Sequence, residues 1–146
     1  MRVRRLCLFV SLVTAACAGS SPVAPTAAAL SLTISPSPVA LPTEGISLTW
    51  NVIYRETAGV GLRIDRDETL VIDAAGATVV QQQGFWAPNC AQCSGPELRL
   101  EAGRSMTVGR TAKFFVSPRP GTLHYTVYFT DEKGNLSSST VSVPVS

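Results

Sequence analysis

The stretch Ile46-Ser47-Leu48-Thr49-Trp50-Asn51-Val52-Ile53-Tyr54 decides the fold. Apolar and mostly polar residues alternate over nine positions. A period of two belongs to a strand with one buried face, whereas a helix repeats every 3.6 residues. Read this way, Ile46, Leu48, Trp50, Val52 and Tyr54 share the inward face. The same rhythm recurs in Leu30-Leu32-Ile34, in Leu123-Tyr125-Val127-Phe129 and in Val141-Val143-Val145. Weaker strands are expected at 60–65, 69–73, 77–82, 97–101, 106–109 and 111–117. No window shows a helical stripe. Turn signals separate the strands: Pro36-Ser37-Pro38, Ala75-Gly76, Pro118-Arg119-Pro120-Gly121 and Asp131 to Asn135. Many short strands at this spacing predict an all-β antiparallel sandwich from residue 30 to residue 146, long enough for one core. Pro144 has no N–H to give a ladder, so the last strand is expected at a sheet edge.

Pro120-Gly121-Thr122-Leu123-His124-Tyr125-Thr126-Val127, followed by the Asp131–Asn135 turn and a Ser/Val strand, resembles the last two strands of an immunoglobulin-like domain. The resemblance covers about the last 30 residues, and the remainder in strand rhythm only. It places Tyr125 at the tyrosine-corner position. Val127 then stands where antibody domains carry the second core cysteine, and Leu48 or Trp50 near the first. Apolar packing must replace that disulfide. The core tryptophan lies on the second strand instead of the third. Architecture follows from this likeness; function does not.

The N-terminus reads differently. Arg2, Arg4 and Arg5 precede an apolar run, Leu6 to Val13, which is too short to span a bilayer and fits a secretory signal over residues 1–16. Val13-Thr14-Ala15-Ala16-Cys17 resembles a bacterial lipobox, although Thr14 stands where Leu is usual. That resemblance implies lipidation at Cys17, an exported protein held to the cell envelope, and, from Ala18 after the cysteine, the outer membrane. Residues 17–29 would be the acylated terminus and a flexible tether of small residues and prolines. The formal net charge of +2 depends on the signal; removing its three arginines leaves nine basic against ten acidic side chains, a net charge of −1. A near-neutral chain argues against nucleic acid as a partner.

Catalytic signals are sparse. The one histidine, His124, alternates with inward neighbours and should face outward, and no G-x-S-x-G nucleophile turn exists. Asp65, Asp67 and Glu68 put three carboxylates within four residues. On a strand Asp65 and Asp67 would share a face and offer acid–base or Ca²⁺ chemistry. With Arg63 and Arg66 beside them, a solvated turn with local ion pairs is the expectation. The Asp131–Asn135 segment could likewise suggest calcium, but reads more simply as a hairpin turn. No metal site and no cofactor are expected.

Cys90 and Cys93 remain once the signal and Cys17 are set aside. One Cys-x-x-Cys with one histidine is short of a closed zinc site. No helix follows to lower a thiol pKa, which weighs against thiol redox chemistry. In an oxidising compartment a disulfide is the default. A ring this small contributes only about 2 kcal/mol by loop entropy, so it would shape a loop and not hold the domain. The same loop carries Phe85 and Trp86. Aromatics on a restrained loop make a candidate binding surface, with one of them tucking under the sandwich as the competing reading. The expected function is therefore a lipid-anchored, non-catalytic module for protein or glycan recognition. A thiol-redox protein using Cys90 and Cys93, or a structural spacer, are the alternatives.

Overall fold

The computed structural model describes residues 26–86 and 97–146, and these form eight strands and no helix. The strands are β1 (Leu30–Ser35), β2 (Ser47–Glu56), β3 (Leu62–Asp73), β4 (Thr78–Phe85), β5 (Leu98–Leu100), β6 (Ser105–Lys113), β7 (Gly121–Asp131) and β8 (Leu136–Val145). One sheet runs β1-β2-β6. The other runs β4-β3-β7-β8, with β5 pairing the first residues of β3 beyond the end of β4. All ladders between these strands are antiparallel. The two inward faces bury Leu48, Trp50, Val52 and Tyr54 against Leu123, Tyr125, Val127 and Phe129. Trp50 meets the Tyr125 ring edge-on, with centroids 6.2 Å apart. Apolar packing thus stands where the inter-sheet disulfide of an antibody domain would be. Ile46, expected inward, precedes β2 and is exposed.

The chain joins the two sheets early. β1 belongs to the smaller sheet, but after Pro36 and Pro38 the backbone crosses over. Val39 forms a parallel bridge with Val145 of the larger sheet, donating its N–H to the Pro144 carbonyl at 2.9 Å. β8 is the terminal strand of its sheet, as Pro144 requires.

The acidic segment is not a turn. β3 runs through it without a break, paired on both sides, and so unites the two strands expected at 60–65 and 69–73. Asp65 is a bulge: Ile64 faces Phe129 and Arg66 faces Tyr128, leaving Asp65 as the extra residue. One added residue inverts the alternation that follows. Asp67, Thr69, Val71 and Asp73 consequently point inward, and Asp65 and Asp67 do not share a face. Asp65 turns to Arg63 Nε at 2.9 Å and the Thr130 hydroxyl at 2.6 Å. β6 is likewise one strand instead of two, and ends at Lys113; Phe114 is buried beyond it while Phe115 and Val116 are exposed.

The inward Asp67 meets Arg110, which reaches in from β6. Arg110 donates to Asp67 Oδ2 at 2.7 Å, to the Tyr125 hydroxyl at 2.8 Å and to the Tyr54 hydroxyl at 3.0 Å. The two tyrosine hydroxyls lie 2.7 Å apart. Tyr125 therefore spends its hydroxyl on the facing sheet, not on backbone upstream, and the tyrosine-corner role is not what it performs. Burial, before any other influence, raises the pKa of both tyrosines. Burial opposes the charge on Arg110, but Tyr125, Tyr54 and Asp67 outweigh it and raise the guanidinium above its ordinary value.

Three further carboxylates hold loops by accepting backbone N–H groups. Glu56, fully buried, accepts from Ala58 at 2.7 Å and from Gly59 and Gly103 at 2.8 Å. Asp73 accepts from Ala75 and Ala77. Asp131 accepts from Lys133 and Asn135 in the β7–β8 turn, where Gly134 takes φ of 84°, and from Ala28 of the incoming chain. That turn is the expected hairpin.

Two predictions follow from these bonds. Burial works against the charge of Glu56, but four backbone N–H groups outweigh it and lower its pKa. Asp73 is lowered chiefly by the Ala77 N–H, and Asp131 is lowered to about 2, first by the Asn135 side chain. A depressed folded-state pKa gives stability that is complete above the ordinary carboxylate value of about 4 and is lost as pH falls towards the folded value. The thermal midpoint should therefore drop steeply between about pH 4 and pH 2, and Asp131→Asn should flatten that slope. Separately, Arg110→Met should lower the unfolding free energy by about 3–5 kcal/mol, because Asp67 stays buried without its cation. Asp67→Leu combined with Arg110→Met should recover part of the loss, giving a coupling of about 1 kcal/mol or more in a denaturation cycle. Strict additivity would show that the pair does not act as a unit.

Candidate contact surface

Phe85 ends β4 and Trp86 follows it, and the two point to opposite sides of the larger sheet. The bulge again decides this. The carbonyl of Asp65 accepts the Trp86 N–H at 3.0 Å, which turns the indole inward. Trp86 is buried, donates its Nε1 to Asp67 Oδ2 at 2.7 Å, and lies under the Arg110 guanidinium, 4.2 Å from the ring centroid. It is part of the core, so the expected contact role fails for Trp86. An indole with a buried carboxylate for its N–H and a cation on its face is fully committed.

Phe85 keeps the outward position and is 48% exposed. It sits opposite Arg66, which in turn sits opposite Tyr128. The Arg66 guanidinium stacks on the Tyr128 ring, 3.5 Å from its centroid. Leu136, the first residue of β8, is 80% exposed. Phe85, Arg66, Tyr128 and Leu136 line a hollow of about 350 Å³ at one end of the sheet's outer face. Its walls are mostly aromatic and aliphatic, with the Arg66 guanidinium stacked on Tyr128; Asp65, already paired with Arg63, and Ser137 complete the lining. Phe85 is one of the two aromatics singled out in the sequence; Leu136 follows a turn and carries no periodic signal of its own.

A larger cleft of about 630 Å³ opens at the same end, between Leu62, Leu100, Met106 and three arginines. Its charges are matched: Arg63 lies 2.9 Å from Asp65, Arg99 lies 3.0 Å from Glu97, and Arg104 lies 3.8 Å from Glu101. Each guanidinium already has a carboxylate, which leaves little field for an anionic ligand. His124 faces outward as expected and bonds Ser142 at 2.8 Å. Among the described residues no three metal-ligating side chains converge. Cys17, the signal over residues 1–16 and the Cys90–Cys93 pair lie outside the described residues.

Sequence reasoning missed Arg110 and Glu56, and placed Asp67 in a solvated turn instead of the core. Arg110 had a signal: a cation at an inward position of an alternating strand, between Val108 and Ala112. Asp67 had none, because its inward direction depends on the bulge two residues earlier.

No family model matches this chain, and no curated protein matches it in sequence. Solved structures do. A Bordetella pertussis protein described as ApaA superposes with a TM-score of 0.54 at 14% identity, covering 84% of this chain and 95% of that one. A PapD-like domain of human CEP192 aligns at a TM-score of 0.45 and 13% identity, covering 93% of this chain and 94% of that one. At 14% identity the likeness to the Bordetella protein is one of architecture. With the strand order and the two antiparallel sheets, it makes the chain an all-β, immunoglobulin-like sandwich.

Proposed function

We propose that this chain is an exported, lipid-anchored, non-catalytic module that contacts a component of the cell envelope through the hollow around Phe85. The observation that carries the reading is the pairing of exposed Phe85 with exposed Leu136 around the stacked Arg66 and Tyr128. An exposed apolar hollow at the end of a sheet face is the kind of patch that marks a contact surface. The anchoring part rests on Cys17 and the lipobox-like residues before it, with the outer membrane as the expected location. The non-catalytic part rests on the lone, outward His124 and the arginines already matched by carboxylates. Protein and glycan are the partner classes that an aromatic surface of this kind commonly serves.

Mass spectrometry of the mature protein should show residues 1–16 removed and an acylated Cys17. An unmodified cysteine would remove the anchoring. In the acyl-free Cys17→Ala protein, the weak retention measured on concentrated isolated envelopes should fall about tenfold when Phe85→Ser and Leu136→Ser are combined. The thermal midpoint should stay within a few degrees of the parent, since both side chains are exposed. Equal retention would remove the hollow as the contact surface.

A further inference from the structure

The hollow lies beside the point where the chain enters the domain. Thr26 offers its carbonyl to the Asn135 side-chain amide at 3.4 Å, and Ala28 donates its N–H to Asp131 at 3.2 Å. Asn135 directly precedes Leu136, the aliphatic wall of the hollow. Thr26 is nine residues beyond Cys17. Nine residues fully extended span at most about 30 Å. The ten-residue β2 is of similar length, about 33 Å, so the tether is no longer than the domain it holds. The hydrogen bonds to Asn135 and Asp131 fix which end of the sandwich that short tether leads from.

From this placement we infer that the hollow docks on the lipid surface of the anchoring membrane, with Phe85 and Leu136 entering the headgroup–acyl boundary. The inference rests on the anchored reading above and names what the hollow contacts. Two apolar side chains bind a bilayer weakly when free. A tether this short makes the contact intramolecular and raises its effective concentration to the millimolar range, where a weak contact is occupied. The chemistry suits such a boundary. Phe85 and Leu136 supply apolar surface, and Tyr128 and the stacked Arg66 are amphipathic groups suited to the headgroup level. The tether residues Ala18 to Pro25 are uncharged, so nothing in them repels an anionic surface.

The test uses the full acylated protein in vesicles of phosphatidylethanolamine and phosphatidylglycerol. Trp50 and Trp86 are buried in the core, so a tryptophan placed at a surface position reports on lipid. Leu136→Trp should be quenched by lipids brominated near the headgroup end of the chain, at a depth of about 5–10 Å. Glu44→Trp, in the loop before β2 at the far end of the sandwich, should not be quenched. Adding Phe85→Ser should reduce the quenching at position 136 at least about twofold, as half of the apolar contact is lost. Protein that floats with the vesicles but shows no quenching at position 136 would overturn the docking and leave the anchoring intact. Protein that does not float would overturn both. Shielding at position 136 seen only in native envelopes would assign the hollow to a protein or glycan partner and overturn the lipid assignment.

Discussion

One buried cation ties the two faces of this sandwich together. Arg110 comes from the edge strand of the smaller sheet and ends among Asp67, Tyr54, Tyr125 and Trp86, which belong to both sheets. A guanidinium removed from water is costly unless its donors are satisfied and its charge is balanced. Here a carboxylate, two hydroxyls and an indole face do both. The arrangement works in one register only. A slip of one residue in β3 or β6 would send either charge to the outer face and leave the other buried alone. The pair therefore specifies the fold as well as joining the sheets.

That cluster depends on a smaller irregularity. The bulge at Asp65 inverts the second half of β3, which brings Asp67 inward, and its carbonyl turns Trp86 inward beside it. One extra residue thus supplies two members of the cluster and, by the same alternation, leaves Phe85 outward. The core and the surface hollow are two results of a single insertion.

The general architecture was legible in the alternation of β2, β7 and β8, because a half-buried strand writes its geometry into every second residue. The Asp131 hairpin was legible through its Gly134 and Asn135. The acidic run at 65–68 was misread for a physical reason: three carboxylates in four residues are expensive inside a sheet unless each has its own partner. Apart from the neighbouring Arg63, those partners, Thr130, Arg110 and the Trp86 indole, come from distant parts of the chain. Glu56 was invisible on similar grounds. Its ligands are backbone N–H groups of Ala58, Gly59 and Gly103, and backbone carries no residue signature. Of the candidate surface, Phe85 could be read and Leu136 could not, since a residue just past a turn belongs to no period.

The attachment of β1 has a mechanical meaning. Its six residues pair in register with Ser35 facing Asn51 and Leu30 facing Glu56, and the chain enters at the Leu30 end. Tension applied along the strand from that end cannot peel the ladder open one bond at a time. It must slide β1 past β2, loading all of its hydrogen bonds together, and behind them the Val39 bridge to β8. A domain held in this way resists force along the chain entering β1 in shear, where parallel loading of many weak bonds gives the greatest strength.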